Sequence, residues 1–256
     1  MSALIRSELL KLRTARSFIV LTSLGLGLGI LIGVLSAALA DYSHLGPGDA
    51  TPVVDAIANA SVILFFLLML GVLSITNEFR HGSIAATLLV EPDRRRLLAA
   101  KVIAASAIGA LIGLLTAGLS LVIYAAILPG RGSSLDTDAK QVIELLAGMA
   151  AAGALMTALG VGVGALVRKQ TPAIVGVLVY LFLLEPIVTG VVLKSSQVRF
   201  ALSAAIAEVT GTSASAGVNG LDKALGQVPG GLVLLGWTVL FIVLGGAMLQ
   251  ARDVTD

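Results

Sequence analysis

The sequence predicts an all-α polytopic membrane protein with six transmembrane helices. The 256-residue chain has a mean hydropathy of +1.01, and only 12% of its residues are charged. A soluble protein of this size would need far more polar surface. In addition, six apolar segments each reach the roughly 20 residues that a helix needs to cross a bilayer. Membrane-barrel strands run to only about 10 alternating residues, so the segments are predicted to be helices.

The predicted spans follow one another in a single transmembrane domain that covers residues 1–256. Their approximate bounds are 17–40, 53–75, 98–128, 142–167, 172–193 and 231–250. If both termini lie on one side, 12 of the 17 Lys and Arg residues fall on that side and the other five on the opposite side. The positive-inside rule therefore predicts that both termini and the segment 77–101 are cytoplasmic.

Residues 1–16 precede the first span and have the pattern of an amphipathic helix. One side of the helix is apolar and is formed by Leu4, Ile5, Leu9 and Leu12. Arg6 and Arg13 fall on the opposite side, where they would face anionic lipid headgroups. We expect an interfacial helix that either anchors the first span or contacts a partner.

The first span has an alternative interpretation as a secretory leader. Its basic start and the run Ala38-Leu39-Ala40 resemble a secretory leader with a cleavage site, but the apolar stretch of about 24 residues is longer than the usual 7–15.

Within the first span, Gly25, Gly29 and Gly33 recur every four residues and share one helix face. Such a face permits close helix contact, either with a second subunit or within one bundle.

The segment 77–101 separates the second and third spans and is the most charged stretch of the chain. Its uncharged part, Ser83 to Val90, is long enough for about two helical turns; Gly82 precedes it and Glu91-Pro92 ends it. The pattern predicts a short helix that lies across the cytoplasmic mouth with charges at both ends. It is either a solvated loop or a docking surface for a soluble partner.

This loop resembles the coupling region of ABC (ATP-binding cassette) transporter type-2 permeases. That family often has E-x-R-x-G-[ST]-[IL], then T-L-L, then P-x-x-R. The matching residues here are Glu78, Arg80, Gly82, Ser83, Ile84, Thr87, Leu88, Leu89, Pro92 and Arg95. The N-terminal head is similar to the family's E-x-x-K-x-x-x-x-[RK] through Glu8, Lys11 and Arg16. The six-span layout with a long loop before the last span also matches.

The resemblance implies an ATPase-coupling site formed by Glu78, Arg80, Gly82, Ser83, Ile84, Thr87, Leu88 and Leu89. It implies an ABC-type ATPase partner in two copies, a second permease chain that is identical or related, and short re-entrant outer helices before the last span. The implied location is a bacterial plasma membrane. The implied function is export of a hydrophobic or amphipathic drug, peptide or lipid, as in multidrug resistance.

The chain is not predicted to be an enzyme. It has no G-x-x-x-x-G-K-[ST] motif, so ATP and Mg²⁺ are expected on the partner subunit and no cofactor on this chain. It has no Cys, and His44 and His81 lie in different loops, so no metal site is expected. No nucleic-acid partner is expected either.

The fifth span contains the pair Glu185-Pro186, which lies in the outer half of the bilayer in the predicted topology. An acidic residue inside a span is costly, so it usually faces protein or water, and a proline can kink the helix. Glu185 and Pro186 are candidates for substrate contact or gating; the alternative is a polar residue that caps a broken helix. A different class of function, a secondary transporter with Glu185 as the ion- or proton-coupling residue, also stays open. That class would require several intramembrane charges and an internal repeat.

Overall fold

The fold is a bundle of helices, as seen in a computed structural model that describes residues 1–42, 49–83, 89, 93–131, 138–193, 195–213 and 225–251. These ranges contain no β-strand, and they contain six helices that are long and apolar enough to cross a membrane. The predicted all-α membrane fold with six spans is therefore confirmed.

The helices lie close to the predicted spans but often begin a few residues earlier. They are α1 (Ser2–Thr14), α2 (Arg16–Leu39), α3 (Thr51–Ala60), α4 (Val62–Arg80), α5 (Arg94–Ile127), α6 (Ala139–Val167), α7 (Gln170–Val192), α8 (Ser195–Val198), α9 (Leu202–Val209) and α10 (Gln227–Ala251). The spans are α2, α3 with α4 (Thr51–Arg80), α5, α6, α7 and α10. A 3₁₀ turn, Leu128–Arg131, follows α5.

Polar caps explain the earlier starts of α5 and α6. The carboxylate of Asp93 accepts hydrogen bonds from the backbone N–H groups of Arg95 and Arg96, so α5 begins at Arg94. Asp138 likewise accepts from the backbone of Lys140 at the start of α6. Such caps satisfy N–H groups that have no partner within the helix. Hydropathy locates the apolar part of a helix, whereas the N-cap residue locates its first residue.

Helix α6 lies at the centre of the bundle and packs against α4, α5 and α10. Glycines bring the backbones into contact: a Cβ on Gly153 would collide with the carbonyl of Gly109, and a Cβ on Gly160 would collide with the carbonyl of Leu68. Close approach maximises van der Waals contact between spans, for which the lipid supplies no hydrophobic driving force. The glycines of α6 therefore fix the core of the fold.

The glycine ladder of α2 faces its own bundle. The buried residues of this helix are Gly25, Gly29, Gly33 and Ala37. A Cβ on Gly25 would lie 2.5 Å from the Ile63 side chain of α4, and one on Gly33 would lie 3.7 Å from Ser120 Oγ of α5. This packing favours the alternative of ordinary contact within one bundle. The contact with a second permease chain stays a prediction for these glycines.

The connections gather at two ends of the bundle. One end, called the basic end below, carries α1 together with Arg80, Arg94, Arg95, Arg96 and Arg168. Here Arg94 donates to the carbonyl of Leu249 at 2.6 Å, and Arg168 donates to that of Met248 at 2.6 Å. Cations at these last carbonyls of α10 complement its helix dipole. At the opposite end, Tyr42 donates to Asp55 at 2.9 Å.

Candidate functional site

Four charged side chains form a closed ring where α1 meets α4 and α5. The Nζ of Lys101 lies 2.6 Å from Glu8 Oε2 and 2.7 Å from Glu78 Oε1. The Nζ of Lys11 lies 2.7 Å from Glu8 Oε1 and 3.2 Å from Glu78 Oε1. Each acid thus contacts both lysines. This ion ring, Glu8, Lys11, Glu78 and Lys101, joins three helices.

The ion ring is largely shielded from solvent. Glu8 is 2% exposed and Lys101 is 3% exposed, whereas the Lys11 side chain is 46% exposed. Burial alone would raise the pKa of Glu8, but the ammonium groups of Lys101 and Lys11 hold that pKa below its ordinary value of 4.5. Burial would lower the pKa of Lys11, but Glu8 and Glu78 raise it above 10.5. Both groups are therefore charged at neutral pH.

The ion ring lies beside a small cavity of about 130 Å³ at the basic end. Polar side chains of Ser17, Ser74 and Asn77 contribute to its lining, together with members of the ring. Glu78 Oε2 is buried and has no hydrogen-bond partner among the described residues. A cavity of this size with polar groups in its wall suits bound water, which would satisfy that oxygen.

The sequence patterns alone did not predict that Glu78 and Lys101 belong to one ion ring. Glu78 belongs to the predicted coupling motif, and it lies inside the ring rather than on the surface. Lys101 follows the apolar run Leu97–Ala100 and marks the re-entry of the chain into the bundle. A lysine that interrupts an apolar helix face is the available signal for a buried ion pair, but its partner Glu8 is 93 residues away.

The remaining coupling residues that the structure describes lie on the surface of the basic end. Arg80 is exposed and donates to Gln170 Oε1 at 2.9 Å; Gly82 and Ser83 are exposed, and Leu89 is 86% exposed. Gly82 has a φ of +67°, a left-handed conformation that suits glycine just after a helix end. The predicted coupling residues Ile84, Thr87 and Leu88 lie outside the described residues.

Glu185 joins the irregular helix α7 to α9. Within α7, the segments Tyr180–Leu184 and Val188–Val192 are π-helical and flank a short α-helical turn at Glu185 and Pro186. Glu185 is 4% exposed, and its Oε1 accepts a 2.5 Å hydrogen bond from the backbone N–H of Ser203. Helix α7 continues through Glu185, so the carboxylate binds the first turn of α9 and does not cap a broken end of its own helix. The substrate-contact or gating role of Glu185 and Pro186 stays a prediction.

A second buried acid, Glu208 on α9, was missed by sequence reasoning. It is 1% exposed, and its two carboxylate oxygens accept from the backbone N–H groups of Leu225 at 2.9 Å and Gly226 at 2.7 Å. Glu208 therefore fixes the chain just before α10 begins. The available signal is a single acid in the otherwise apolar helix LSAAIAEV.

Comparison with known proteins places these features in a family. The model of the ABC-2 family transporter proteins matches residues 4–186, which include the ion ring, Leu89 and the Glu185–Pro186 turn. No curated protein matches the chain significantly. Because the family match spans well over half of the 256 residues, the chain belongs to the ABC-2 family of transporter proteins and is a membrane permease of an ABC transporter.

Proposed function

We propose that the chain is the membrane-spanning subunit of an ATP-driven exporter that moves a hydrophobic or amphipathic molecule, a drug, peptide or lipid, out of a bacterial cell. Both termini and the basic end face the cytoplasm, where a separate ATPase subunit binds ATP and Mg²⁺ and hydrolyses ATP. The family supports a partnership with an ABC ATPase. The charge distribution supports the orientation.

The ion ring is the observation that carries this proposal. Glu78 lies just before the coupling loop at the end of α4, and Lys101 lies after the loop in α5. Glu78 and Lys101 contact each other directly, and each also contacts a charged residue of α1, Lys11 or Glu8. The two ends of the loop are therefore connected to each other and to α1. A force on the loop is therefore delivered to two spans and to α1 together, instead of bending one connection.

The exposed surface around the loop supports contact with the ATPase. Leu89 is a large apolar side chain left 86% exposed at the end of the bundle that carries the charged residues, and Arg80 and Ser83, which precede it in the chain, are exposed as well. An apolar anchor rimmed by polar groups is typical of a protein interface. We assign Leu89 and Arg80 to the docking surface and Glu78 to the transmission of force.

Two permease chains, identical or related, complete the transporter in this proposal. One chain supplies one coupling loop, whereas the resemblance implies two ATPase copies. A pair of permease chains gives each ATPase its own loop. The exposed apolar side chains of α7 and of the outer side of α2 supply surface that a second chain or lipid can cover.

The test is co-purification of the chain with a co-expressed ABC ATPase subunit from the same organism, followed by ATPase and transport assays in vesicles. Leu89→Glu is expected to abolish ATPase association, because it places a charge in the apolar contact. Val228→Glu is the matched control, since Val228 is 75% exposed at the opposite end. Equal ATPase association in both variants would reject the docking surface.

A separate variant tests the role of the ring. Glu78→Gln keeps the shape of the side chain but removes its charge, so the ATPase is expected to bind while its stimulation by the permease is reduced. Unchanged stimulation and transport in Glu78→Gln would show that the ring holds the helices together without transmitting force.

A further inference from the structure

A groove between α5 and α10 opens on the side of the bundle at its basic end. It has a volume of about 350 Å³, within the range of roughly 300–1,000 Å³ of small-molecule sites. Its walls are apolar and include Leu98, Val102, Ile103 and Ile242. Ile103 is 47% exposed, so the groove is open towards the surrounding lipid.

Small residues create the groove. Helix α10 is drawn towards α6, because a Cβ on Gly245 would lie 2.5 Å from the carbonyl oxygen of Gly162. On the side that faces α5, the small residues Gly246 and Ala99 line the groove, and Gly246 lets Leu98 approach so closely that a Cβ there would lie only 3.2 Å from it. The groove therefore results from the close α6–α10 contact and is a built feature of the bundle.

Arginines line the mouth of the groove. Arg94 donates to the Leu249 carbonyl at 2.6 Å, and Arg95 donates to Gln250 Oε1 at 3.0 Å, so both guanidinium groups are held at the end of α10. Arg94 and Arg95 are the charged residues among those that line the groove, and they make its mouth basic. A guanidinium has five N–H donors in a fork that matches a phosphate, and the Gln250 contact of Arg95 takes one of them.

The dimensions fit one leaflet. Along α5, the eight-residue distance from Arg95 to Ile103 corresponds to about 12 Å. Half of a hydrocarbon core of about 30 Å is about 15 Å. If the apolar walls of the groove lie at the depth of the acyl chains, Arg94 and Arg95 therefore lie at the depth of the lipid headgroups. Basic pockets between membrane helices are known to bind anionic headgroups.

We propose that this groove binds an anionic phospholipid, with one acyl chain along Leu98, Val102 and Ile242 and the phosphate between Arg94 and Arg95. The charge of the mouth, the apolar walls and the sideways opening select a lipid rather than a soluble ligand. The proposal does not depend on the ATPase or on the direction of transport.

The experiment measures lipid binding to the purified chain by native mass spectrometry in detergent, with phosphatidylglycerol and phosphatidylcholine of equal chain length. We expect phosphatidylglycerol to bind about tenfold more tightly, and Arg95→Gln to remove about that factor, as the loss of one charge-assisted contact predicts. Lys140→Gln, whose side chain is 81% exposed at the opposite end of the bundle, is the charge control and should leave the affinity unchanged.

A second pair of variants tests the groove itself. Ala99→Phe fills it and should weaken binding of both lipids, whereas Ala107→Phe, on the exposed side of α5, should not. Equal affinity for the two lipids would overturn the proposal. So would phosphatidylglycerol binding that Ala99→Phe leaves intact, because the arginines would then act only as a surface charge.

Discussion

Buried charge is the most costly feature of this chain at the scale of single residues. Lys101 and Glu8 are almost fully removed from solvent, and the desolvation cost of each ion is offset only because opposite charges lie within 2.7 Å. A buried pair of this kind adds little net stability compared with apolar residues, but removing one partner leaves an uncompensated charge. The ion ring therefore specifies where α1 docks.

Lys101→Met should release α1 from the bundle. It leaves Glu8 and Glu78 buried with only the half-exposed Lys11, and losses of about 3–5 kcal/mol are typical when one partner of a buried pair is removed. Thermal unfolding in detergent measures the loss. Lys140→Met, whose contact with Glu144 is exposed and 3.9 Å long, is the control and should change little. Adding Glu8→Gln to Lys101→Met should recover part of the stability; no recovery would contradict the direct pairing.

The attachment of α1 should also depend on pH. The pKa of Glu8 lies below its ordinary value of 4.5 in the folded protein, so its stabilisation is present above 4.5 and is lost as the pH falls through the lower, folded-state pKa. Melting curves between pH 7 and pH 3 should show this loss in the wild type and a smaller one in Glu8→Gln. The opposite slope, with Glu8→Gln the more acid-sensitive protein, would contradict the ring electrostatics.

At the scale of the elements, the glycines of α6 set how closely the spans approach. Gly160→Ala would place a Cβ against the carbonyl of Leu68 and 2.9 Å from the Val72 nitrogen, both of which are backbone atoms. Overpacking of this kind costs about 1–3 kcal/mol. Gly118→Ala in α5 meets nothing within 4 Å and should be neutral or stabilising, since alanine is the better helix former. Equal melting temperatures for the two variants would contradict the close packing.

The sequence predicts the helices better than their contacts. Spans follow from the length of apolar runs, a property read along the chain, and caps such as Asp93 shift their ends by only a few residues. The pairing of Glu8 with Lys101 depends on how α1 docks, and 93 residues separate the two. The inward face of the Gly25 ladder likewise depends on packing, because small residues suit a contact within a chain as well as between chains.

At the scale of the whole molecule, the two ends of the bundle should face different compartments. A single cysteine can be introduced into this Cys-free chain at Ser83 of the basic end or at Thr51 of the opposite end, both of which are exposed. An impermeant thiol reagent should label Thr51→Cys in intact cells and Ser83→Cys only after permeabilisation. Labelling of Ser83→Cys in intact cells would reverse the proposed orientation.

The loose attachment of α7 links the protein to its bilayer. Only 11% of the apolar window of α7 is buried, compared with 67% for α6, and Ala173, Val177 and Glu185 are its buried residues. Ten of its 23 residues are π-helical and rise less per residue than in an α-helix, so α7 is close to the roughly 30 Å of a hydrocarbon core in length. A helix whose length does not match the bilayer tilts or kinks, and the span with the smallest buried share does so at the lowest cost. Hydrophobic thickness therefore acts on the tilt of α7 first, and through the Glu185–Ser203 bond it acts on α9 as well.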